Sequence, residues 1–164
     1  NMGKFSQKIV AEYNPPRKWI MEEPLSYQAD LTEVEERYLS LVGVSIKDRN
    51  ITVGKGFVTD LASVPRAAWA IMAPWDVARA AIIHDLLYKK IRQYRYRMAI
   101  EVGDGVTLGE DKKLVKGAKE VADKVFHMAM KDADPKVPNW KIYCAWKSVD
   151  LFGRWSIKPN ENNI

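Results

Sequence analysis

The chain has 164 residues, of which 47% are hydrophobic and 29% are charged, a balance typical of one globular domain with a buried core. No stretch approaches the roughly 18 consecutive apolar residues of a membrane span, residues 1–9 lack the apolar middle of a signal peptide, and the single Cys144 excludes a disulfide scaffold or a cysteine-rich zinc cluster. Lysine and arginine number 26 against 21 acidic residues, so the net charge of +5 permits anionic partners without requiring them.

The first part of the chain is predicted to be irregular or to form strands. Three prolines among residues 1–24 favour an irregular or edge-strand lead-in. Over residues 25–60, β-prone residues recur between turn formers, and residues 48–50 are typical of a hairpin tip. The acidic segment 31–37 is also compatible with a short helix, so both assignments stay open.

Two helices are predicted next. Pro65 suits the first position of a short helix that Pro74 is expected to end. Asp76 is expected to cap a second helix, because its side chain can accept from the exposed amides of a first turn. We expect this helix to reach about Ile91.

Two further helices complete the prediction. Apolar residues at steps of three and four predict a third helix over about 109–130, after a glycine-containing loop at 103–109. A fourth is expected over 139–152, capped by Asn139 and ended by Gly153 in a left-handed conformation. We therefore expect one α+β domain, with a small antiparallel sheet or hairpins before about four helices and a tail over 154–164.

A histidine and a carboxylate lie in the middle of the otherwise apolar second helix. His84 and Asp85 follow Ala-Ala-Ile-Ile and precede Leu-Leu-Tyr. Leaving either one unpartnered in a core would cost about 1 to 3 kcal/mol or more. Since Tyr88 is one turn from His84, both side chains are expected to point into the protein. The simplest interpretation is a histidine bound to a carbonyl and an aspartate paired with a cation.

A second carboxylate makes a catalytic interpretation stronger. Asp123 lies beside the apolar stripe of the third helix. If the second and third helices pack antiparallel, Asp123 can bind one nitrogen of His84 while the other faces a cleft as general base for water. His127, one turn further on, either competes for Asp123 or is a solvated histidine at a helix end.

The segment before the first helix offers ligand-binding groups. Gly54 and Gly56 allow close approach of the backbone to a ligand, and Asp60 lies at a strand-to-helix turn. Asp60 and Asp85 together could hold a hard cation such as calcium. The alternative is a turn stabilised by the side chains of Asp60 and Ser63.

The end of the second helix is strongly basic. Cations interleaved with two tyrosines bind phosphates, lipid headgroups or nucleic acid in other proteins, although a solvated helix end is the simpler interpretation. The candidate anion-binding residues are Lys89, Lys90, Arg92, Arg95 and Arg97.

Four segments resemble an uncharacterised family of phage and bacterial proteins, domain of unknown function 1353. They are Gly-Phe-Val-Thr-Asp-Leu-Ala-Ser-Val-Pro (56–65), Ala-Ala-Ile-Ile-His-Asp-Leu-Leu-Tyr (80–88), Ala-Asp-Lys-Val-Phe (122–126) and Phe-Gly-Arg-Trp (152–155). The resemblance implies a phage or prophage origin, a location in the host bacterial cytoplasm or in the virion, and no particular activity.

His-Asp-x-x-Tyr followed by Ala-Asp-x-x-Phe also resembles the two-helix catalytic core of phospholipase A2, especially the cysteine-free form in parvovirus capsid proteins. This resemblance implies that His84 activates water and that Asp85 binds calcium. It also implies that Asp123 orients His84, while Tyr88 holds the Asp123 carboxylate in place. The calcium loop of that family, Tyr-x-Gly-x-Gly, is missing, and only residues 54–60 offer a substitute.

Three functions stay open from the sequence. The first is a phage-encoded hydrolase of phospholipase A2 type, acting on a phospholipid or another anionic ester with calcium. The second is a non-enzymatic accessory protein, either a virion component or an inhibitor of a host protein. The third, a metal-dependent phosphohydrolase, ranks lower because such enzymes need more histidines than the two present, and nucleic acid is a less favoured partner.

Overall fold

The computed structural model describes residues 3–6, 9–14, 18–71, 74–102, 109–133, 136–160 and 163–164. Within these ranges the chain forms seven strands followed or interrupted by five helices. The loop predicted between residues 103 and 109 falls almost entirely outside them.

Two antiparallel sheets form in the N-terminal part. The first has the strand order β1-β4-β6-β5, with β1 (Lys4–Phe5), β4 (Leu25–Gln28), β5 (Ile46–Lys47) and β6 (Asn50–Val53). The second has the order β2-β3-β7, with β2 (Ala11–Asn14), β3 (Lys18–Met21) and β7 (Val58–Thr59). The predicted lead-in thus contributes three strands, as its edge-strand alternative allowed.

Local sequence accounts for the first sheet. Leu25 and Tyr27 of β4 are fully buried while the residues between and after them are partly exposed, the alternation expected of a sheet with one buried face. The hairpin between β5 and β6 turns at Asp48 and Arg49, which both have positive φ (51° and 66°), as a two-residue hairpin turn requires. The predicted hairpin tip is therefore confirmed.

The acidic segment 31–37, for which both a strand and a short helix were possible, lies mainly in a helix, α1 (Glu33–Leu41). Its N-terminus carries a capping box, in which the Glu35 amide donates to the Thr32 hydroxyl and the Thr32 amide donates to the Glu35 carboxylate. Two otherwise unpaired amides are satisfied in this way, and the helix is favoured over a strand.

Four helices follow the sheets, namely α2 (Arg66–Ile71), α3 (Pro74–Val102), α4 (Gly109–Lys131) and α5 (Asn139–Ser156). The predicted bounds of α4 are confirmed. Helix α2 ends before Pro74, as predicted, and Pro74 is the first residue of α3. The prediction that Asp76 caps α3 is wrong, because Asp76 is the third residue of this helix. The helix continues past Ile91 because no glycine or proline follows before residue 103 and unbranched cationic residues favour helix.

The predicted ends of α5 are also corrected. Pro138 is the residue before the helix, and no side chain caps its first turn, so Asn139 does not act as the cap. Gly153 lies inside the helix, where a Cβ atom would be 2.1 Å from the Tyr88 hydroxyl oxygen. Close packing, and not a left-handed backbone, therefore explains the glycine.

Helix α3 is the central element. All nine residues from Ala80 to Tyr88 are buried, since α4 and the strands β4 and β6 pack around this part of the helix. A helix enclosed in this way has no polar face, which explains the continuous apolar sequence. None of the described helices has the length and hydrophobicity that a membrane-spanning helix needs.

Candidate active site

A line of hydrogen bonds joins three elements at the centre of the protein. Nε2 of His84 on α3 lies 2.9 Å from Oδ1 of Asp123 on α4, so the predicted contact is confirmed. Nδ1 of His84 lies 3.1 Å from the hydroxyl oxygen of Ser63. The ring is 0% exposed, and the prediction that its second nitrogen faces an open cleft is wrong because the segment before α2 covers it.

Three donors surround the carboxylate of Asp123. The Tyr88 hydroxyl donates to Oδ1 at 2.6 Å, the oxygen that His84 also contacts, and Lys119 Nζ donates to Oδ2 at 2.7 Å. Burial raises the pKa of Asp123, but the hydrogen bond from His84 and the electrostatic interactions with His84 and Lys119 outweigh it, so the pKa is lowered overall. The carboxylate is therefore ionised at neutral pH.

The protonation of the neighbouring groups follows from this charge. Burial and the negative charge of Asp123 raise the pKa of Tyr88 well above its usual value, so its hydroxyl remains a donor. An ionised Asp123 favours the tautomer of His84 with the proton on Nε2. Nδ1 is then an acceptor for the Ser63 hydroxyl, so serine, histidine and aspartate follow one another as in Ser-His-Asp hydrolases, but with the roles of the two ring nitrogens exchanged.

The segment that carries Ser63 is held by side-chain hydrogen bonds. The Thr59 hydroxyl donates to Asp85 and accepts from the Leu61 amide at 3.0 Å, while Asp60 accepts from the Ala62 amide at 2.9 Å. Leu61 has φ of 60°, a left-handed conformation that costs a residue with a Cβ atom about 1 to 2 kcal/mol. Such strain persists only where surrounding contacts compensate for it, and it concentrates at functional sites.

A cavity of about 240 Å³ lies against this segment. Its charged and polar lining residues come from the second sheet, from the Ser63 segment, from α3 and from the end of the chain: Lys18, Asp60, Ser63, Asp85, Lys89, Arg92, Ser156 and Asn163. Three cations thus face two carboxylates. Sequence analysis did not identify Lys18, which β3 brings to the cavity from a distant part of the chain.

The predicted anion-binding residues separate into two groups. Lys89 and Arg92 line the cavity, whereas Lys90, Arg95 and Arg97 are not among its lining residues. Arg92 donates to the carbonyl oxygens of Asn163 (2.7 Å) and Ser156 (3.2 Å), and Arg95 donates to another carbonyl of the C-terminal segment. Burial lowers the pKa of Arg92 although the charges of the nearby carboxylates oppose this effect.

The predicted calcium ligands are only partly brought together. Asp60 and Asp85 line the same cavity, but Gly54 and Gly56 do not, and the Gly54 carbonyl accepts from a backbone amide in its own turn. Among the described residues there is no group of three His, Cys, Asp or Glu side chains that could hold a metal ion. With the Asp85 carboxylate bound to Thr59 and cations close by, these residues do not fit a resident calcium ion.

His127 does not line the cavity beside Ser63, although it shares another cavity with Asp123. It lines a second cavity, of about 370 Å³, between α4 and α5, and its ring centroid lies 5.8 Å from that of Trp146. Burial lowers the pKa of His127, and the positive charge of Lys131 lowers it further by a smaller amount. The carboxylate of Asp123 accepts hydrogen bonds from His84, Tyr88 and Lys119, so His127 does not take the place of His84.

The contact between Gly153 and Tyr88 gives a stability prediction. Gly153→Ala should lower the free energy of unfolding by about 1 to 3 kcal/mol, because the added methyl displaces the buried Tyr88 hydroxyl from Asp123. Urea unfolding checks this value. Gly54→Ala is the control, since nothing lies within 4 Å of its new Cβ. Equal stability of Gly153→Ala and wild type would contradict the close packing.

Comparison with known proteins identifies the family and no activity. Residues 41–149 match the model of the family described as protein of unknown function DUF1353. The chain matches no curated protein and no solved structure. The match supports neither a phospholipase A2 relationship nor a phage origin. Because it covers most of the chain, including Ser63, His84 and Asp123, the protein belongs to the DUF1353 family.

Proposed function

We propose that the protein is a hydrolase that cleaves an ester, with Ser63 as nucleophile, His84 as general base and Asp123 as the group that orients His84. One observation carries the proposal: the hydrogen bonds Ser63 Oγ to His84 Nδ1 (3.1 Å) and His84 Nε2 to Asp123 Oδ1 (2.9 Å) form one continuous line. The serine end of this line borders a cavity, where a substrate has room to bind.

The reaction would follow the usual two steps of a serine hydrolase. Ser63 Oγ attacks the ester carbonyl carbon while its proton passes to His84 Nδ1, and the imidazolium is stabilised by the ionised Asp123. Collapse of the tetrahedral intermediate breaks the bond to the leaving alcohol, which takes the proton from His84. Water then attacks the acyl group on Ser63 with His84 again as base, which releases the acid and restores the serine.

The charges of the cavity support an anionic substrate. Lys18, Lys89 and Arg92 outnumber Asp60 and Asp85 along its wall. Cations fixed in a partly enclosed site attract a phosphate or carboxylate group and stabilise negative charge that develops on the carbonyl oxygen. This supports an ester that carries an anionic group as the substrate.

An alkyl fluorophosphonate tests the proposal without knowledge of the natural substrate, because it phosphonylates activated serines. We expect the wild-type protein to gain one adduct, located at Ser63 by peptide mass spectrometry. Ser63→Ala should gain none, whereas Ser148→Ala should react like wild type, since Ser148 bonds only to a backbone carbonyl of its own helix. No labelling of folded wild-type protein would reject Ser63 as an activated nucleophile.

A second candidate is the non-enzymatic accessory protein. It is favoured by the complete satisfaction of the buried groups: no buried side-chain nitrogen or oxygen of the described residues lacks a hydrogen-bond partner. In that case His84 and Asp123 only join α3 to α4. This candidate predicts that the fluorophosphonate leaves Ser63 unmodified while Ser63→Ala slightly lowers stability.

A further inference from the structure

The side of α5 opposite its buried residues carries large apolar side chains, one of which, Tyr143, also lines the cavity between α4 and α5. Trp140, Tyr143, Leu151 and Trp155 are 59%, 57%, 50% and 51% exposed. Their spacing of three, four and eight residues places them on one side of the helix. The buried residues of α5, from Ile142 to Gly153, lie on the other side. We call Trp140, Tyr143, Lys147, Leu151, Arg154 and Trp155 the α5 outer face.

Cations accompany the aromatic rings. Helix α5 contains three cationic residues and one acidic residue, Asp150, whose carboxylate lies 3.4 Å from Lys147 Nζ. Lys141 lies 5.8 Å from the ring centroid of Trp140, and the Arg154 guanidinium lies 4.3 Å from that of Trp155. Because single exposed apolar residues are common on protein surfaces, the informative feature is this concentration of aromatic and cationic residues along one helix.

We propose that the α5 outer face binds the surface of a membrane that contains anionic lipids. Tryptophan and tyrosine rings favour the boundary between headgroups and acyl chains, and lysine and arginine reach the lipid phosphates from the same depth. The face extends over roughly 23 Å, at 1.5 Å for each step from Trp140 to Trp155, so it can lie flat in the interface. Its positive charge matches an anionic surface.

The positive charge of the α5 outer face also argues against a homodimer in which a second copy of the chain covers this face. A symmetric dimer places the same patch of both subunits in contact, so the cations of one α5 outer face would meet those of the other. Anionic headgroups neutralise these charges instead. The proposal concerns attachment to the membrane surface and does not depend on the proposed hydrolysis.

Vesicle sedimentation tests the proposal with the full chain. We expect binding to an equal mixture of phosphatidylcholine and phosphatidylglycerol, weakening as salt is raised, and little binding to phosphatidylcholine alone. The double variant Lys147→Gln, Arg154→Gln should reduce the partition coefficient by roughly 25-fold, at about fivefold for each cation. Lys112→Gln, Lys113→Gln removes the same charge from exposed positions on α4 and should bind like wild type.

The aromatic contribution is tested separately. Trp140→Ala, Trp155→Ala should lose most binding, whereas Val34→Ala, Leu41→Ala, which shortens two exposed side chains of α1, should retain it. Circular dichroism verifies that each variant is folded. Absence of binding to the anionic vesicles at low salt would overturn the proposal. Equal binding to neutral vesicles would also overturn it. A dimer that light scattering detects in wild type, and that only Trp140→Ala, Trp155→Ala abolishes, would overturn it as well.

Discussion

Asp123→Asn should lower the free energy of unfolding by about 3 to 5 kcal/mol, the usual result of removing one partner from a buried ion pair. Its side chain is 3% exposed and accepts from His84, Tyr88 and Lys119. An amide has only one oxygen, so its NH₂ group must face at least one of these donors, and the ammonium of Lys119 loses its counter-charge. Urea unfolding at neutral pH measures the change.

Two comparisons make this test specific. Glu35→Gln is the matched control, because the Glu35 and Lys124 side chains are 18% and 49% exposed and such a pair contributes about 1 kcal/mol or less. The pKa of Asp123 is lower in the folded protein, so its stabilisation is present above the unfolded-state pKa and is lost as pH falls through the folded value. Wild type should therefore lose more stability than Asp123→Asn as the pH falls from neutral through the unfolded-state pKa of an aspartate, about 4, and below it. Parallel profiles would contradict an ionised Asp123.

His84→Gln should slow phosphonylation of Ser63 by roughly 10²- to 10⁴-fold, the usual contribution of a general base. Ser63 keeps its position at the cavity, but no group remains at 3.1 Å to accept its proton. The rate of adduct formation is measured by mass spectrometry on protein that circular dichroism shows to be folded. His127→Gln removes the other histidine, which is part of α4 and lines the cavity between α4 and α5. This variant should react at the wild-type rate.

The same variant separates the two candidate functions. If His84 has only a structural role, His84→Gln lowers the free energy of unfolding while Ser63 is equally unreactive in variant and wild type. If His84 is the base, the loss of reactivity exceeds any loss of folded protein. Measuring both quantities on one preparation keeps a folding defect from being taken for a chemical one.

Elements whose stability depends on near neighbours were predictable from the sequence. The hairpin at residues 48–50 and the apolar stripe of α4 both follow from local patterns. The contact between His84 and Asp123 was also predictable, because two polar groups on apolar, adjacent helices each need a hydrogen-bond partner. The i, i+4 spacing of Lys119 and Asp123 offered a further signal that the sequence analysis did not use.

Residue identity and local pattern therefore determined the α+β class, the position of α4 and one pair of the candidate site. Only the tertiary structure decided that Ser63, and not water, contacts Nδ1 of His84, because pairing of β7 with β3 and the bond from Thr59 to Asp85 set the path of its segment. It likewise brought Lys18 to the cavity and Gly153 against Tyr88. These contacts join residues at least 21 positions apart, and no short-range pattern in a single sequence encodes such pairings.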